Sequence, residues 1–160
     1  MCGIAGIIYK NQTSVEKETL KKMTDKMSHR GPDSEGFFVN LNLGLGHRRL
    51  SIIDTSESAN QPFFFEDKHV LVFNGAIYNY IELKKELEEK GYTFTTSSDT
   101  EVLIAAYDYW GKSVCKSLMA CGLSLFLTPK RINYSAQEID LESSHFTITQ
   151  IKINLFLLPR

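Results

Sequence analysis

The sequence predicts an α+β fold. Short runs rich in β-branched and aromatic residues recur at a count and spacing that make the sheet largely antiparallel, and three helical patterns accompany them. At 160 residues, with 42% hydrophobic and 23% charged side chains, the chain has the length and apolar content for one domain with a sizeable core.

Taken in order, residues 2–9 read as a buried strand that starts at the first residues, with isoleucines at 4, 7 and 8. Residues 15–27 place Leu20, Met23 and Met27 three and four apart with lysines between them, the pattern of an amphipathic helix. The stretch His29-Arg30-Gly31-Pro32-Asp33 ends it, since glycine and proline dictate a loop. Short strands are expected at 36–40, 44–47, 50–53 and 69–74. Residues 81–90 are helical and stop at Gly91, 92–96 read as a strand, and Ser98-Asp99-Thr100-Glu101 has the capping-box form ahead of a helix over 102–110.

Charge and composition exclude several functions. With 18 basic against 19 acidic side chains the net charge is -1, so no basic field attracts nucleic acid or anionic lipid. The apolar start has no basic residue before it and is too short for a signal peptide, and the apolar run over 118–127 is about half of the ~20 residues that cross a bilayer. Cysteines at 2, 115 and 121 form neither a metal spacing nor an even disulfide framework. A cytoplasmic location, in a reducing compartment, is expected.

Candidate chemistry starts at Cys2. Removal of the initiator methionine before a small residue would leave a thiol beside its own α-amino group, whose pKa of about 7.7–8.0 suits a general base. A cysteine at the second position also arises by chance. Asn74-Gly75 reads locally as a tight hairpin turn, and can at the same time supply an oxyanion hole made of the Asn74 amide and the Gly75 N–H. Arg49, next to Arg48 and His47, reads either as part of a solvated cationic edge or as a clamp on a carboxylate. Asp99 reads either as a first-turn acid favoured by the helix dipole or as a partner for a substrate ammonium.

Together these residues resemble class II glutamine amidotransferases, in the branch represented by the glutaminase domain of asparagine synthetase. The resemblance rests on Met1-Cys2-Gly3-Ile4-Ala5-Gly6, His29-Arg30-Gly31-Pro32-Asp33, Arg49-Leu50-Ser51-Ile52-Ile53-Asp54, Gln61-Pro62, Asn74-Gly75-Ala76-Ile77-Tyr78-Asn79 and Ser98-Asp99-Thr100-Glu101. It implies an N-terminal-nucleophile hydrolase-type αββα sandwich. It also implies that Cys2 attacks the side-chain amide of L-glutamine while Asn74 and Gly75 stabilise the tetrahedral intermediate. Arg49 would bind the α-carboxylate and Asp99 the α-ammonium, with the backbone of Leu50, Ile52 and Ile53 lining the pocket. No cofactor is implied for this half-reaction; the ammonia would pass to a synthetase domain or subunit.

Two departures follow. The family usually has glutamate where this chain has Ala76. Loss of that charged partner of the substrate ammonium would cost on the order of 1.5–3 kcal/mol of binding. Beyond about residue 116 the family motifs F-N-G-M-W-A-F-A-I-Y-D, R-D-R-F-G-I-K-P and F-A-S-E are missing. Reading back-translated codons one base earlier turns residues 118–126 into F-N-G-M-W-A-F-A-I and restores the later motifs in order. The expected organisation is a partial glutamine amidotransferase type 2 domain over 1–116 and an out-of-frame tail over 117–160, with the sandwich incomplete at its C-terminal end. Such a tail would leave neighbouring strands unpaired and make the apolar run over 151–158 an aggregation risk. The Ser-Gly-Gly-x-Asp-Ser loop of a synthetase ATP site does not occur in the sequence.

Overall fold

The computed structural model describes residues 1–9 and 13–127. These form two three-stranded sheets. In the first, β1 (Gly3–Ile8) and β2 (Ser34–Asn40) flank β3 (Leu43–Arg49); in the second, β4 (Phe63–Phe65) and β6 (Ala120–Leu127) flank β5 (His69–Ile77). Every pairing is antiparallel. Helix α1 (Lys17–Asp25) precedes β2, while α2 (Tyr80–Glu89) and α3 (Asp99–Trp110) lie between β5 and β6.

Side-chain alternation along the strands builds the layers. On β3, Leu43 and Leu45 join Val70 and Val72 of β5 in one apolar cluster, so these faces of the two sheets meet. Gly44 and Gly46 point the other way, where a Cβ would meet Val15, Leu20 and Thr24 beneath α1. Leu71, Phe73 and Ile77 of β5 cluster with Leu83 and Leu87 of α2 and with Val102 to Ala106 of α3. The order helix, sheet, sheet, helix is therefore the expected αββα sandwich. The unbroken buried run on α3 suits a helix enclosed on more than one side.

Several local expectations change. Residues 92–96 form no strand, because the backbone N–H groups of Thr95 and Thr96 donate to the Glu101 carboxylate at 2.9 and 2.7 Å. Glu101 is thereby drawn away from the capping-box role: Ser98 caps α3 alone, accepting from Thr100 N–H, and the helix starts at Asp99. Residues 50–53 are loop rather than strand. Met1 is 76% exposed, so burial begins at Gly3. The helix stop at Gly91 is as expected, with φ +93 and the Tyr92 N–H donating back to Leu87 O at 3.0 Å.

Two strands were not anticipated. β4 is three phenylalanines long, and β6 lies in the stretch expected to be out of frame. All eight residues of β6 pair with β5, so this side of β5 is not left open. A ladder is made by backbone groups, and an apolar segment without proline can supply them. Residues 128–160, including the run at 151–158, lie outside the described residues.

Gly36 sits where β2 meets the chain entering β4, and a Cβ there would come within 2.0 Å of the Gln61 carbonyl oxygen. Gly36→Ala is expected to lower stability by at least about 1–3 kcal/mol. Gly6→Ala, whose nearest contact would be Leu45 Cδ2 at 3.6 Å, should stay within about 1 kcal/mol of wild type in the same urea unfolding experiment.

Candidate active site

Three consecutive structural decisions place the candidate residues at one end of the sandwich. Ile4 and Ile8 of β1 pack toward the second sheet, which gives the inner face to even-numbered residues, and Cys2 continues that parity just before the strand. On β3 the inner face belongs to odd residues, and so to His47 and Arg49. On β5 it belongs to even residues, which puts Asn74 and Ala76 on the side of Val70 and Val72.

The half-buried Cys2 thiol lies against the start of the next loop: Leu50 N–H reaches Sγ at 3.4 Å, and Sγ lies 3.7 Å from Leu50 O. The Cys2 carbonyl accepts from Arg30 Nε at 3.1 Å. Asp33 fixes the far side of the loop, its N–H donating to Arg49 O at 3.0 Å and its carboxylate accepting from Ser51 N–H at 2.7 Å. Gly31 allows this, since a Cβ there would stand 2.4 Å from the Arg48 carbonyl. The His-Arg-Gly-Pro-Asp segment is thus the brace that holds the cysteine and the loop after β3 together.

Arg49 is not on a solvated edge; it is 6% exposed. Its guanidinium donates to Ser56 O at 2.8 Å, to Asn60 Oδ1 at 2.9 Å and to Asp54 O, closing the loop over 50–60 around itself. Asn60 is in turn held by Ser34 Oγ at 2.8 Å. Arg48 points to the opposite face and pairs with Asp25 and with Glu35, the latter at 2.7 Å. Asp54 accepts from the Ser56 hydroxyl and N–H and from Ser97 N–H at 2.9 Å, which together hold its carboxyl below the usual range. Ile52 and Ile53 are exposed at the loop surface.

Asn74 and Gly75 form no hairpin turn. They lie inside β5, opposite Leu123 and Gly122 of β6, and neither has a positive φ. Odd residues of β5 direct their backbone groups away from β6: the Phe73 and Ile77 N–H groups go to side chains, whereas the Tyr78 N–H goes to Met119 O on the β6 side. β4 ends opposite Leu71, so among the described residues Phe73, Gly75 and Ile77 face an edge without a strand. Gln61 Oε1 accepts the Phe73 N–H at 2.5 Å, and Asp99 Oδ2 accepts the Ile77 N–H at 3.1 Å. Between them the Gly75 N–H points outward on an exposed residue. Asp99 is buried, and burial raises its carboxyl pKa against the pull of N–H donors from Ile77 and Thr100.

His47, fully buried, joins the sheets: its Nε2 lies 3.1 Å from Phe73 O. A carbonyl can only accept, so Nε2 carries the proton. Burial pushes the His47 pKa down to about 4, opposed by the Phe73 bond and aided by the charge of Arg49.

The arrangement offers a thiol held by a loop backbone, a buried cation behind that loop and an outward N–H on a strand edge. Cys2, Arg49, Asn74, Gly75, Ala76 and Asp99 have roles legible in the sequence, whereas Arg30, Asp33, His47, Asn60 and Gln61 acquire theirs only in the fold. The quoted motifs containing Arg30, Asp33 and Gln61 were the available signal for those three.

Residues 1–125 match the glutamine amidotransferase domain family. The chain is 48% identical over 131 residues to asparagine synthetase [glutamine-hydrolyzing] 1 of Bacillus subtilis, a match covering 79% of this chain and 20% of that protein. It is 40% identical over 113 residues to asparagine synthetase [glutamine-hydrolyzing] 1 of Arabidopsis thaliana, covering 69% of this chain and 19% of the relative. Thus the chain spans about a fifth of the length of these curated relatives. Among solved structures, glutamine phosphoribosylpyrophosphate amidotransferase from B. subtilis superposes with a TM-score of 0.67 at 22% identity, over 80% of this chain and 35% of that one. That likeness concerns the fold. Among the described residues no helix is long and apolar enough to cross a membrane.

A histidine neutral in the fold and ordinary when unfolded binds more protons in the unfolded state between pH 6.5 and about 4. The stability it confers is complete above pH 6.5 and is lost as pH falls through the folded value. Urea unfolding between pH 7 and 4 should show up to about 3 kcal/mol of such loss in the wild type. His47→Gln should lack this component.

Proposed function

The chain belongs to the glutamine amidotransferase domain family, and from that premise we propose that it is the glutaminase part of an asparagine synthetase-like protein. The observation that carries the reading is the Cys2 thiol seated on the Leu50 backbone beside the buried Arg49. In this reading methionine removal frees the Cys2 amine. That amine takes the thiol proton as Sγ bonds to the side-chain carbonyl carbon of L-glutamine, and the oxygen becomes an oxyanion. Asn74 Nδ2 and Gly75 N–H stabilise that oxygen. The proton passes to the amide nitrogen, the C–N bond breaks and ammonia leaves. Water then attacks the thioester, releasing glutamate and restoring the thiol.

Arg49 serves the substrate α-carboxylate with the donors not engaged by the loop, and Leu50, Ile52 and Ile53 line the approach. Asp99, the first residue of α3, serves the α-ammonium from beside the end of β5. A thiol, an amine and water suffice for this half-reaction, so no cofactor is needed here; ATP would act in the synthetase domain or subunit that receives the ammonia. A free nucleophilic thiol suits the cytoplasm. We also propose that residues 117–160 are translated one base out of frame, which resequencing the codons for 112–118 tests directly. A confirmed frame ends that proposal.

Quenching the chain with glutamine present should trap a glutamyl thioester on Cys2 by mass spectrometry, and Cys2→Ser should reduce ammonia release to background. A cooperative fold that binds glutamine but forms neither thioester nor ammonia would replace this reading with a binding remnant. Ala76→Glu is expected to tighten glutamine binding about ten- to a hundred-fold. Unchanged affinity would remove the significance assigned to Ala76.

A further inference from the structure

An oxyanion hole works only if its donors are fixed before the charge develops. Asn74 and Gly75 stand on a part of β5 that β4 no longer supports. We propose that His47 and Gln61 are positioning residues that clamp Phe73 from both of its backbone polar groups and so set where the Asn74 amide and the Gly75 N–H sit. This rests on the glutaminase reading above.

The geometry is specific. Gln61 Oε1 takes the Phe73 N–H at 2.5 Å, and His47 Nε2 donates to the Phe73 carbonyl at 3.1 Å. That carbonyl belongs to the peptide group whose nitrogen is Asn74. The two clamps come from different places: His47 from the facing sheet, Gln61 from the segment leading into β4. Both are buried, at 0% and 7% exposure, so water does not compete for either bond. Each clamp is itself fixed. Gln61 Nε2 approaches Thr100 Oγ1 at 3.3 Å, and its main chain seats against Gly36, where any Cβ would collide. His47 is held by its β3 backbone, which pairs with β1 at Ile4 and β2 at Gly36. The neighbouring N–H of Ile77 is fixed by Asp99, so the open Gly75 N–H lies between two tethered residues. His47 and Gln61 touch no reacting atom in this scheme; they act through Phe73.

His47→Leu, Gln61→Leu and His47→Gln in the full 160-residue chain test the proposal. Both leucine variants should lower kcat for glutamine hydrolysis about ten- to a hundred-fold with KM within about threefold of wild type, because the donors matter most at the transition state. Alkylation of Cys2 by iodoacetamide should be unchanged, since the thiol's own contacts are with Leu50. His47→Gln should recover most of kcat, its amide nitrogen reaching the same carbonyl. The proposal is overturned if both leucine variants keep kcat within about threefold, or if KM rises in step with the loss. Should His47→Leu fail to fold, Gln61→Leu decides, acting on the other group of Phe73. If the wild type itself releases no ammonia, the glutaminase reading fails separately. Amide hydrogen exchange at Phe73 and Asn74 then judges the clamp: at least about tenfold faster exchange in the leucine variants supports it, and unchanged exchange overturns it.

Discussion

Where β4 stops, β5 continues for several residues with one backbone edge that no strand among the described residues covers. A buried edge of that kind is tolerated only if each N–H and C=O finds another partner or reaches solvent. The fold meets the requirement with side chains brought from elsewhere: Gln61 and His47 at Phe73, and Asp99 at Ile77. Gly75 is the residue left for solvent or ligand. One short strand, by ending early, thereby decides that a loop, the facing sheet and the start of α3 all converge on the same few residues. The candidate site lies at that convergence because the edge had to be satisfied there.

Buried charges organise the loops in the same way. Arg49 collects the carbonyls of 54 and 56 and the amide of Asn60, giving shape to a loop with little apolar packing of its own. Glu101 does the equivalent for Thr95 and Thr96, whose N–H and hydroxyl groups all converge on its two oxygens. A charge-assisted hydrogen bond is about twice as strong as a neutral one, and a buried ion without such partners would be costly. The polar loops and the charges that hold them are therefore interdependent. Removing Arg49 would release the loop that seats the Cys2 thiol as well as any grip on a carboxylate.

The sequence made legible what depends on neighbours along the chain. Period-two and period-3.6 patterns placed β1, α1, β2 and α2, and the glycine at 91 ended α2 as its positive φ requires. What stayed hidden was set by partners distant in sequence. Residues 92–96 have strand composition, yet the N–H groups of Thr95 and Thr96 go to the Glu101 carboxylate rather than to a ladder. Asn74-Gly75 carries the strongest short turn signal, but β6, more than forty residues on, keeps it extended. His47 is a lone histidine between glycine and arginines, and nothing local announces that its ring crosses to another sheet. The candidate residues were legible only because several motifs stood in register; their braces, Arg30, Asp33 and Gln61, lay within those motifs without a readable role.

The pairing of β6 with β5 is compatible with either reading frame, and the reason is physical. Ladder bonds use backbone groups, which are the same in either frame, and an apolar run without proline serves in both. Cross-strand side-chain pairs do differ. As written, Gly122 stands opposite Gly75, so two residues without side chains face each other beside the candidate site. Glycine in a strand interior contributes no packing and weakens the strand. The shifted frame places a tryptophan at 122 and a phenylalanine at 124, opposite Gly75 and Phe73 respectively. An aromatic residue across from a glycine covers its backbone and pins the register. The strand that bears the Gly75 N–H would then gain an aromatic cross-strand pair in addition to its β6 ladder and the bonds to His47, Gln61 and Asp99.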